Sequence, residues 1–178
     1  RNKDANIKSE YYRDPESTAQ SFFPGGWYKT GDIGEWVIGK DNKKHLRVID
    51  RVVNMLELYV NGDSVWVQQS RLESEIYSNS PAVDRICLLG DRNQDSMIAV
   101  VVPNWAFIKE ALSPELLEYL EVMSIKDQME FALSQSSVKD SVLNSITVCG
   151  QTHGLKHYEI PSAVILELNS WSVENGFL

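Results

Sequence analysis

The alternation of hydrophobic and polar positions predicts two β-hairpins in the first half of the chain. In the first, over residues 34–50, the apolar runs "EWVIG" and "HLRVID" flank the polar turn "KDNKK". The second joins "VVNMLELYV" (52–60) to "DSVWV" (63–67) through Asn61-Gly62, a dipeptide favoured in two-residue hairpin turns. Ahead of both hairpins, Asp14-Pro15 predicts a short helix with Asp14 as its N-cap.

The pattern then predicts a helix followed by a pair of strands. In "QQSRLESEIYSN" (68–79), Leu72 and Ile76 are four residues apart, which indicates a short amphipathic helix that Ser80-Pro81 ends. The runs "VDRICLLGD" and "SMIAVVVP" predict two strands joined by a polar turn at 91–95. The second run is apolar enough to be an inner strand.

From residue 104 the pattern becomes helical. Ser113-Pro114-Glu115 begins one helix, with its buried face on nearby leucines, and Ser124 with Asp127 begins another. The spacing of Val138, Val142 and Ile146 predicts a third helix, and "AVILEL" (163–168) predicts a last strand. Segregated strands and helices indicate an α+β fold, and Asp50-Arg51 is the candidate boundary within it.

Composition indicates a globular protein and excludes some function classes. The chain has 178 residues, 43% of them hydrophobic and 24% charged, with a net charge of −8. This charge argues against non-specific binding to nucleic acid or acidic lipid. Cys87 and Cys149 lie in apolar surroundings, as expected for buried free thiols of an intracellular protein. The three histidines lack metal-ligand spacing, so we expect no metal site.

Two short segments carry candidate chemistry. In "GWYKTGDIGEW" (26–36), Asp32 either caps its own tight turn or offers two acceptor oxygens to neighbouring hydroxyls, such as those of a ribose. In "LRVIDRVVN", Arg51 either forms a surface ion pair or faces a phosphate or hydroxyl. Each segment by itself leaves both interpretations open.

Taken together, the ordered motifs resemble those of the adenylate-forming enzymes, which are the acyl-CoA synthetases, the luciferases and the adenylation domains of nonribosomal peptide synthetases. The resemblance rests on "GGWYKTGDIGEW", "LRVIDRVVNMLEL", "LESEIYSNSPAVDRICLLGD" and "MIAVVVPN". The opening "YYRDPESTAQSF" and the tail "GLKHYEIPSAVILELNSWSVENGFL" are similar to long-chain fatty-acid–CoA ligases. The resemblance is strongest over 11–103 and 154–178 and faint over 104–150.

The resemblance implies roles for individual residues. The family's Tyr-x-Thr-Gly-Asp motif matches Tyr28 to Asp32, so Tyr28, Thr30 and Asp32 would lie in an ATP/AMP site, with Asp32 on the ribose hydroxyls. Arg51 would contact the nucleotide, and Asp50 would be the hinge between a large and a small domain. The implied substrates are a fatty acid, ATP with Mg²⁺ and coenzyme A.

The resemblance also implies how the chain is divided. Residues 1–49 would be the β-rich end of the large adenylation domain, 50–51 the hinge, and 52–178 an incomplete small domain that contacts its own large domain. The family's phosphate loop would lie upstream of residue 1, and its catalytic lysine beyond Leu178, so we expect this chain alone to be inactive. The expected location of the parent protein is cytoplasmic, or peripheral on an intracellular membrane.

Some positions depart from the family pattern. Val52 and Val53 stand where relatives usually have two lysines, and Glu57 stands where a lysine is usual. In "YVNGDSVWVQQSR", only Gly62 and Trp66 with the following valine are loose equivalents of a loop on the coenzyme A side. Two alternatives therefore stay open: a non-catalytic binding module of the same fold, and an adenylating enzyme that uses a carrier protein as acceptor.

Overall fold

The computed structural model describes residues 10–24 and 27–171. Residues 1–9, 25–26 and 172–178, which include part of "GGWYKTGD" and the end of the ligase-like tail, lie outside the described residues. The chain divides into two compact units, Arg1–Asn54 and Met55–Leu178. The division falls just after the boundary that the sequence suggests.

The described residues of the first unit form a short α-helix and two antiparallel strand pairs. The elements are α1 (Pro15–Ser21), β1 (Phe22–Phe23), β2 (Trp27–Tyr28), β3 (Asp32–Ile38) and β4 (Lys44–Arg51). Asp14 caps the helix by accepting a hydrogen bond from the backbone N–H of Ser17, as the sequence predicts, and Pro15 lies in its first turn. Strand β1 pairs with β2, and β3 pairs with β4.

The hairpin of β3 and β4 confirms the first predicted hairpin and extends it at its open end. Ile38 faces Lys44 next to the turn, and Asp32 faces Arg51 at the other end. Residues 52–54, which the sequence analysis assigned to the next strand, instead form a 3₁₀ turn (Val52–Asn54). The N–H of Val52 donates to the carbonyl oxygen of Gly31 at 2.8 Å, so Val52 continues the backbone hydrogen bonding of the first hairpin.

The second unit begins with the second predicted hairpin, β5 (Met55–Val60) and β6 (Asp63–Gln68). Asn61 and Gly62 connect them with φ angles of 53° and 96°, the left-handed values that a tight two-residue turn requires. A helical segment follows, in which α2 (Gln69–Arg71) continues as a π-helical and then a 3₁₀ turn to Asn79. It ends at Ser80, which is extended before Pro81, as predicted.

Up to residue 171, where the described part of the chain ends, the second unit continues with a three-stranded sheet and four α-helices. The sheet comprises β7 (Val83–Leu89), β8 (Ile98–Pro103) and β9 (Ala163–Leu166), and the helices are α3 (Trp105–Ala111), α4 (Pro114–Leu120), α5 (Ile125–Ser134) and α6 (Ser136–Thr152). The sheet has the order β7-β8-β9, so β8 is the inner strand that its apolar sequence predicts. Strand β8 is antiparallel to β7 and parallel to β9.

Helix α3 is the element that the sequence analysis did not define. Asn104 begins it by accepting a hydrogen bond from the backbone N–H of Ala106. The predicted caps of the next two helices are both formed, since Ser113 accepts from Leu116 and Ser124 accepts from Asp127. The α+β fold class is therefore confirmed.

The hydrophobic core lies in the second unit. Val138, Val142 and Ile146, the predicted inner face of α6, are completely buried, and α6 packs against β9, α3 and α5. In the first unit, none of the described residues is fully buried, and apolar side chains such as Trp36 (71% exposed) lie on the surface of its hairpin. The two units thus differ in how much apolar surface they bury.

Candidate functional site

The turn from Thr30 to Asp32 is closed by the threonine. The backbone N–H of Asp32 donates to Oγ1 of Thr30 at 3.1 Å. Gly31 has a φ of 76°, and a Cβ added there would meet no atom within 4 Å, so its backbone conformation rather than crowding favours glycine. The hydroxyl of Thr30 therefore caps this turn, and the binding role of Asp32 stays a prediction.

The carboxylate of Asp32 instead faces the guanidinium of Arg51. The two residues are opposite each other at the open end of the β3–β4 hairpin, with Nε of Arg51 3.7 Å from Oδ1 of Asp32. The side chain of Arg51 is 70% exposed, and that of Asp32 is 34% exposed. An exposed ion pair of this kind contributes about 0–1 kcal/mol, so both groups can exchange this contact for a ligand at little cost.

Tyr28 lies in the electrostatic field of the same two side chains. Its hydroxyl is 3.0 Å from the hydroxyl of Tyr11, a hydrogen bond that raises the pKa of Tyr28. The negative charge of Asp32 also raises the pKa of Tyr28, whereas the positive charge of Arg51 lowers it. The structure therefore brings the four residues predicted for an ATP site together in the first unit.

Asp50 organises the end of strand β4. Its Oδ1 accepts hydrogen bonds from the backbone N–H of Arg51 at 2.7 Å and from the side-chain amide of Asn54 at 2.9 Å. These bonds join β4 to the 3₁₀ turn that follows, and the second compact unit begins directly after Asn54. Asp50 thus lies close to the division of the chain, and its role as a hinge stays a prediction.

Gly62 and Trp66, the residues predicted for the coenzyme A side, belong to the second unit. Gly62 occupies the hairpin turn, and Trp66 lies partly exposed on β6, opposite Glu57 of β5. Glu57 accepts a hydrogen bond from Oγ of Ser64 at 2.7 Å, so the glutamate that replaces a family lysine has a partner on its own hairpin. Val53, at the site of another family lysine, is 82% exposed.

Both cysteines are free thiols, as predicted, but they are half-buried rather than buried. Burial raises the pKa of Cys87 and of Cys149, and the negative charge of Glu73 raises that of Cys87 further. A raised pKa keeps each thiol protonated near neutral pH, which disfavours a nucleophilic role. Over residues 10–24 and 27–171, no group of three or more His, Cys, Asp or Glu side chains could hold a metal ion.

A groove of about 610 Å³ lies on the second unit, between the helices. Cys149 and His153 line part of it, with Sγ of the cysteine 3.9 Å from Nδ1 of the histidine. The same Nδ1 is 2.8 Å from the carbonyl oxygen of Cys149, so it carries a proton that it donates there. It cannot also accept the thiol proton, and the pair is not an activated nucleophile.

Sequence reasoning missed Tyr11 and Asn54 as neighbours of the site. Tyr11 is one of two adjacent tyrosines, and nothing in the local pattern pairs it with Tyr28, which is 17 positions away. Asn54 lies four residues after Asp50, at the end of a 3₁₀ turn that the sequence analysis did not predict.

In the part of the chain that the structure describes, no helix is long and apolar enough to cross a membrane.

No protein-family model matches the chain. Its curated relatives include long-chain-fatty-acid–CoA ligase 4 of Saccharomyces cerevisiae, which is 31% identical over 176 residues, with 99% of this chain and 24% of the relative covered. Long-chain-fatty-acid–CoA ligase 1 of the same yeast is 30% identical, with 98% and 23% covered. The chain spans about a quarter of the length of these relatives.

Solved structures with the same fold include adenylation domains of carboxylic acid reductases. The domain from Segniliparus rugosus, in complex with AMP and a co-purified carboxylic acid, matches with a TM-score of 0.61 and 29% identity, covering 94% of this chain and 22% of that one. The domain from Mycobacterium chelonae matches with a TM-score of 0.61 and 32% identity, with the same coverage. With homologues that are long-chain fatty-acid–CoA ligases and structural neighbours that are adenylation domains, the resemblance to the adenylate-forming superfamily is confirmed.

Proposed function

We propose that this chain is part of an ATP-dependent long-chain fatty-acid–CoA ligase and carries one wall of its nucleotide site. The observation that carries the proposal is the pairing of Asp32 with Arg51 at 3.7 Å, next to a turn that the hydroxyl of Thr30 closes. An ionised carboxylate offers two acceptor oxygens, which suits the neighbouring hydroxyls of a ribose. A guanidinium suits a phosphate or hydroxyl beside it.

The proposed reaction has two steps. In the first, a carboxylate oxygen of the fatty acid attacks the α-phosphorus of ATP, the bond to the pyrophosphate oxygen breaks, and acyl-AMP forms. In the second, the thiol sulfur of coenzyme A attacks the acyl carbon, the thiol proton passes to solvent, and AMP leaves. Mg²⁺ would accompany ATP and neutralise phosphate charge, and we assign its binding to the large domain of the parent protein.

Within this scheme, each predicted residue has a distinct task. Asp32 would hold the ribose hydroxyls, and Arg51 would contact the nucleotide. Tyr28 and Thr30 would shape and fix the turn that leads to Asp32. Gly62 and Trp66 would lie on the side from which the thiol of coenzyme A approaches. This assignment is supported by the joint placement of the first four residues in one compact unit.

We further propose that the small domain, residues 52–178, turns about Asp50 between the two steps, against the large domain whose end is residues 1–49. Such a rearrangement would first enclose the adenylation site and then admit the thiol. The division of the chain after Asn54 supports a change of domain near this point.

The free thiols of Cys87 and Cys149 favour a reducing compartment, so we place the parent protein inside the cell, in the cytoplasm or peripherally on an intracellular membrane.

A second candidate function is an adenylating enzyme that transfers its acyl group to a carrier protein. It is favoured by another structural neighbour, the A-PCP didomain of carboxylic acid reductase from Segniliparus rugosus in complex with AMP, with a TM-score of 0.63 and 30% identity. That match covers 94% of this chain and 19% of the neighbour. The departure of the β5–β6 hairpin from the ligase pattern is consistent with a different acceptor.

The acceptor can be identified from the product. The full-length protein that contains this chain is incubated with ATP, Mg²⁺ and a long-chain fatty acid, with either coenzyme A or a phosphopantetheinylated carrier protein, and thioesters are measured by mass spectrometry. We expect acyl-CoA and AMP. Loading of the carrier protein alone would favour the second candidate, and the absence of both thioesters and of acyl-AMP would favour a non-catalytic binding module.

A further inference from the structure

The hydroxyl groups of Tyr11 and Tyr28 form a hydrogen bond of 3.0 Å. This bond joins the segment before α1 to strand β2, which leads directly into the turn from Thr30 to Asp32. The ring of Tyr28 also packs against its cross-strand partner Phe22, with ring centroids 5.3 Å apart. The Tyr28 side chain is therefore held at its ring by one neighbour and at its hydroxyl by another.

Tyr11 projects from a base that is itself fixed. Its backbone N–H donates to Oγ1 of Thr18 at 2.9 Å, and its carbonyl oxygen accepts from the N–H of Asp14 at 3.4 Å. The hydroxyl of Thr18 in turn donates to the carbonyl oxygen of Asp14 at 2.6 Å. Asp14 and Thr18 belong to the start of α1, so the capped helix sets where the Tyr11 side chain begins.

The electrostatics relate the tyrosine pair to the proposed site. The contact lowers the pKa of Tyr11 and raises that of Tyr28, and either hydroxyl can be the donor. The positive charge of Arg51 lowers the pKa of both tyrosines, and the negative charge of Asp32 raises that of Tyr28. The tyrosine pair thus shares the field of the two residues proposed to bind the nucleotide.

We infer that Tyr11 is a positioning residue of the nucleotide site, which acts by holding the hydroxyl of Tyr28 and so fixing the Tyr28 ring beside Asp32 and Arg51. A nucleotide then meets a wall that is already ordered, and less side-chain freedom is lost on binding. Without Tyr11, the hydroxyl end of the partly exposed Tyr28 would have to be immobilised by the ligand itself. This inference rests on the proposed function, because it requires the site to bind a nucleotide.

The first test is Tyr11→Phe in the full-length protein, which removes one hydroxyl and keeps the ring. We expect the KM for ATP to rise about two- to tenfold while kcat stays within about twofold, because ATP must then order the Tyr28 side chain itself, a cost that is equal in the ground and transition states. Tyr12→Phe is the matched control. Tyr12 is 84% exposed, and its ring lies under Arg13, so this variant should keep the wild-type KM.

A double-mutant cycle separates coupling from a general structural effect. If Tyr11 acts through Tyr28, the variant with both Tyr11→Phe and Tyr28→Phe should have a KM for ATP no higher than that of the worse single variant. Fully additive increases in KM would overturn the inference, because they would mean that the two hydroxyls act independently.

A readout without nucleotide tests the hydrogen bond by itself. With ¹³Cζ-labelled Tyr28, NMR against pH should show the pKa of Tyr28 falling in Tyr11→Phe, since the hydrogen bond with Tyr11 raises it. An unchanged pKa of Tyr28, or an unchanged KM for ATP in Tyr11→Phe while Asp32→Ala weakens ATP binding, would overturn the inference alone. If Asp32→Ala leaves ATP affinity unchanged while the pKa of Tyr28 still falls, the proposed function fails, and the role of Tyr11 in nucleotide binding fails with it.

Discussion

Asp32 is the residue on which the proposed nucleotide site depends most, and it lies at the end of a turn that its neighbour Thr30 closes. Threonine and aspartate both accept hydrogen bonds from nearby backbone N–H groups, so the sequence allows either to close the turn. In the structure, Thr30 accepts the N–H of Asp32, and the aspartate carboxylate faces Arg51. The same three-residue turn thus provides both a rigid support and a carboxylate that can meet a ligand.

At this scale we predict the effect of Asp32→Ala in the full-length protein. The Kd for ATP should rise about 10- to 100-fold, because hydrogen bonds to a charged group are worth about 1.5–3 kcal/mol. The fold should persist, since the ion pair with Arg51 is exposed and contributes little. Isothermal titration calorimetry with ATP and a thermal melt measure the two effects.

Glu35→Ala is the matched control for Asp32→Ala. Glu35 lies on the same strand and pairs with Arg47, away from the turn. We expect its ATP affinity to equal that of the wild type. An unchanged affinity in Asp32→Ala would mean that the ribose contact is wrongly assigned.

Among the elements, the junction after β4 is the one with a proposed mechanical role. Asp50 accepts hydrogen bonds from Arg51 and from Asn54, so its carboxylate closes the turn that leads out of the first unit. A residue that ends one element and precedes a change of compact unit is well placed to absorb a rotation of the backbone.

We predict that Asp50→Pro slows one half-reaction of the full-length protein more than the other, because proline fixes φ near −65°. The two steps are separated by measuring acyl-AMP formation in single turnover and thioester formation from isolated acyl-AMP. Asp50→Ala, which removes the carboxylate but leaves φ free, should affect the two steps similarly. Equal loss of both steps in Asp50→Pro, or loss of neither, would contradict a hinge at this residue.

Helix α6 contributes three completely buried side chains, Val138, Val142 and Ile146, to the core of the second unit. We predict that Ile146→Ala, at a completely buried position, lowers the free energy of unfolding by about 2–5 kcal/mol. Val148→Ala on the same helix should change it by less than about 0.5 kcal/mol, because Val148 is 51% exposed. Urea denaturation followed by circular dichroism measures both, and similar values for the two variants would contradict the packing of α6.

Elements whose ends depend on local chemistry could be predicted from the sequence. Asn61-Gly62 specifies the second hairpin, and the caps Asp14, Ser113 and Ser124 specify three helices through bonds within three residues of each cap. Contacts between distant residues could not be predicted. The N–H of Val52 donates to the carbonyl oxygen of Gly31, and the pattern within a short segment does not predict such a bond.

The candidate site also combines features that the sequence predicts with features that it does not. The Tyr-x-Thr-Gly-Asp motif and Asp50-Arg51 predict the residues of the site, and the hairpin register brings Asp32 and Arg51 opposite each other. Which side chain closes the turn, and which tyrosine meets Tyr28, depends on rotamers and on the path of residues 11–18. Neither property has a signature in the local sequence.

At the scale of the whole molecule, the two units are unlike in their packing. The second unit contains a continuous buried core, whereas the described residues of the first unit include none that is fully buried. Two-stranded hairpins are marginal in water without a packed face. Because the chain spans about a quarter of the length of its relatives, we propose that catalysis belongs to the parent protein and that these 178 residues alone are inactive.

The most direct test of this account is the exchange of radioactive pyrophosphate into ATP, measured with a long-chain fatty acid for the full-length protein and for residues 1–178 alone. We predict exchange that depends on the fatty acid in the full-length protein, a strong reduction of it at subsaturating ATP in full-length Asp32→Ala, and none with the isolated chain. The account would be contradicted if the full-length protein gave no exchange with any fatty acid, or if residues 1–178 alone supported it.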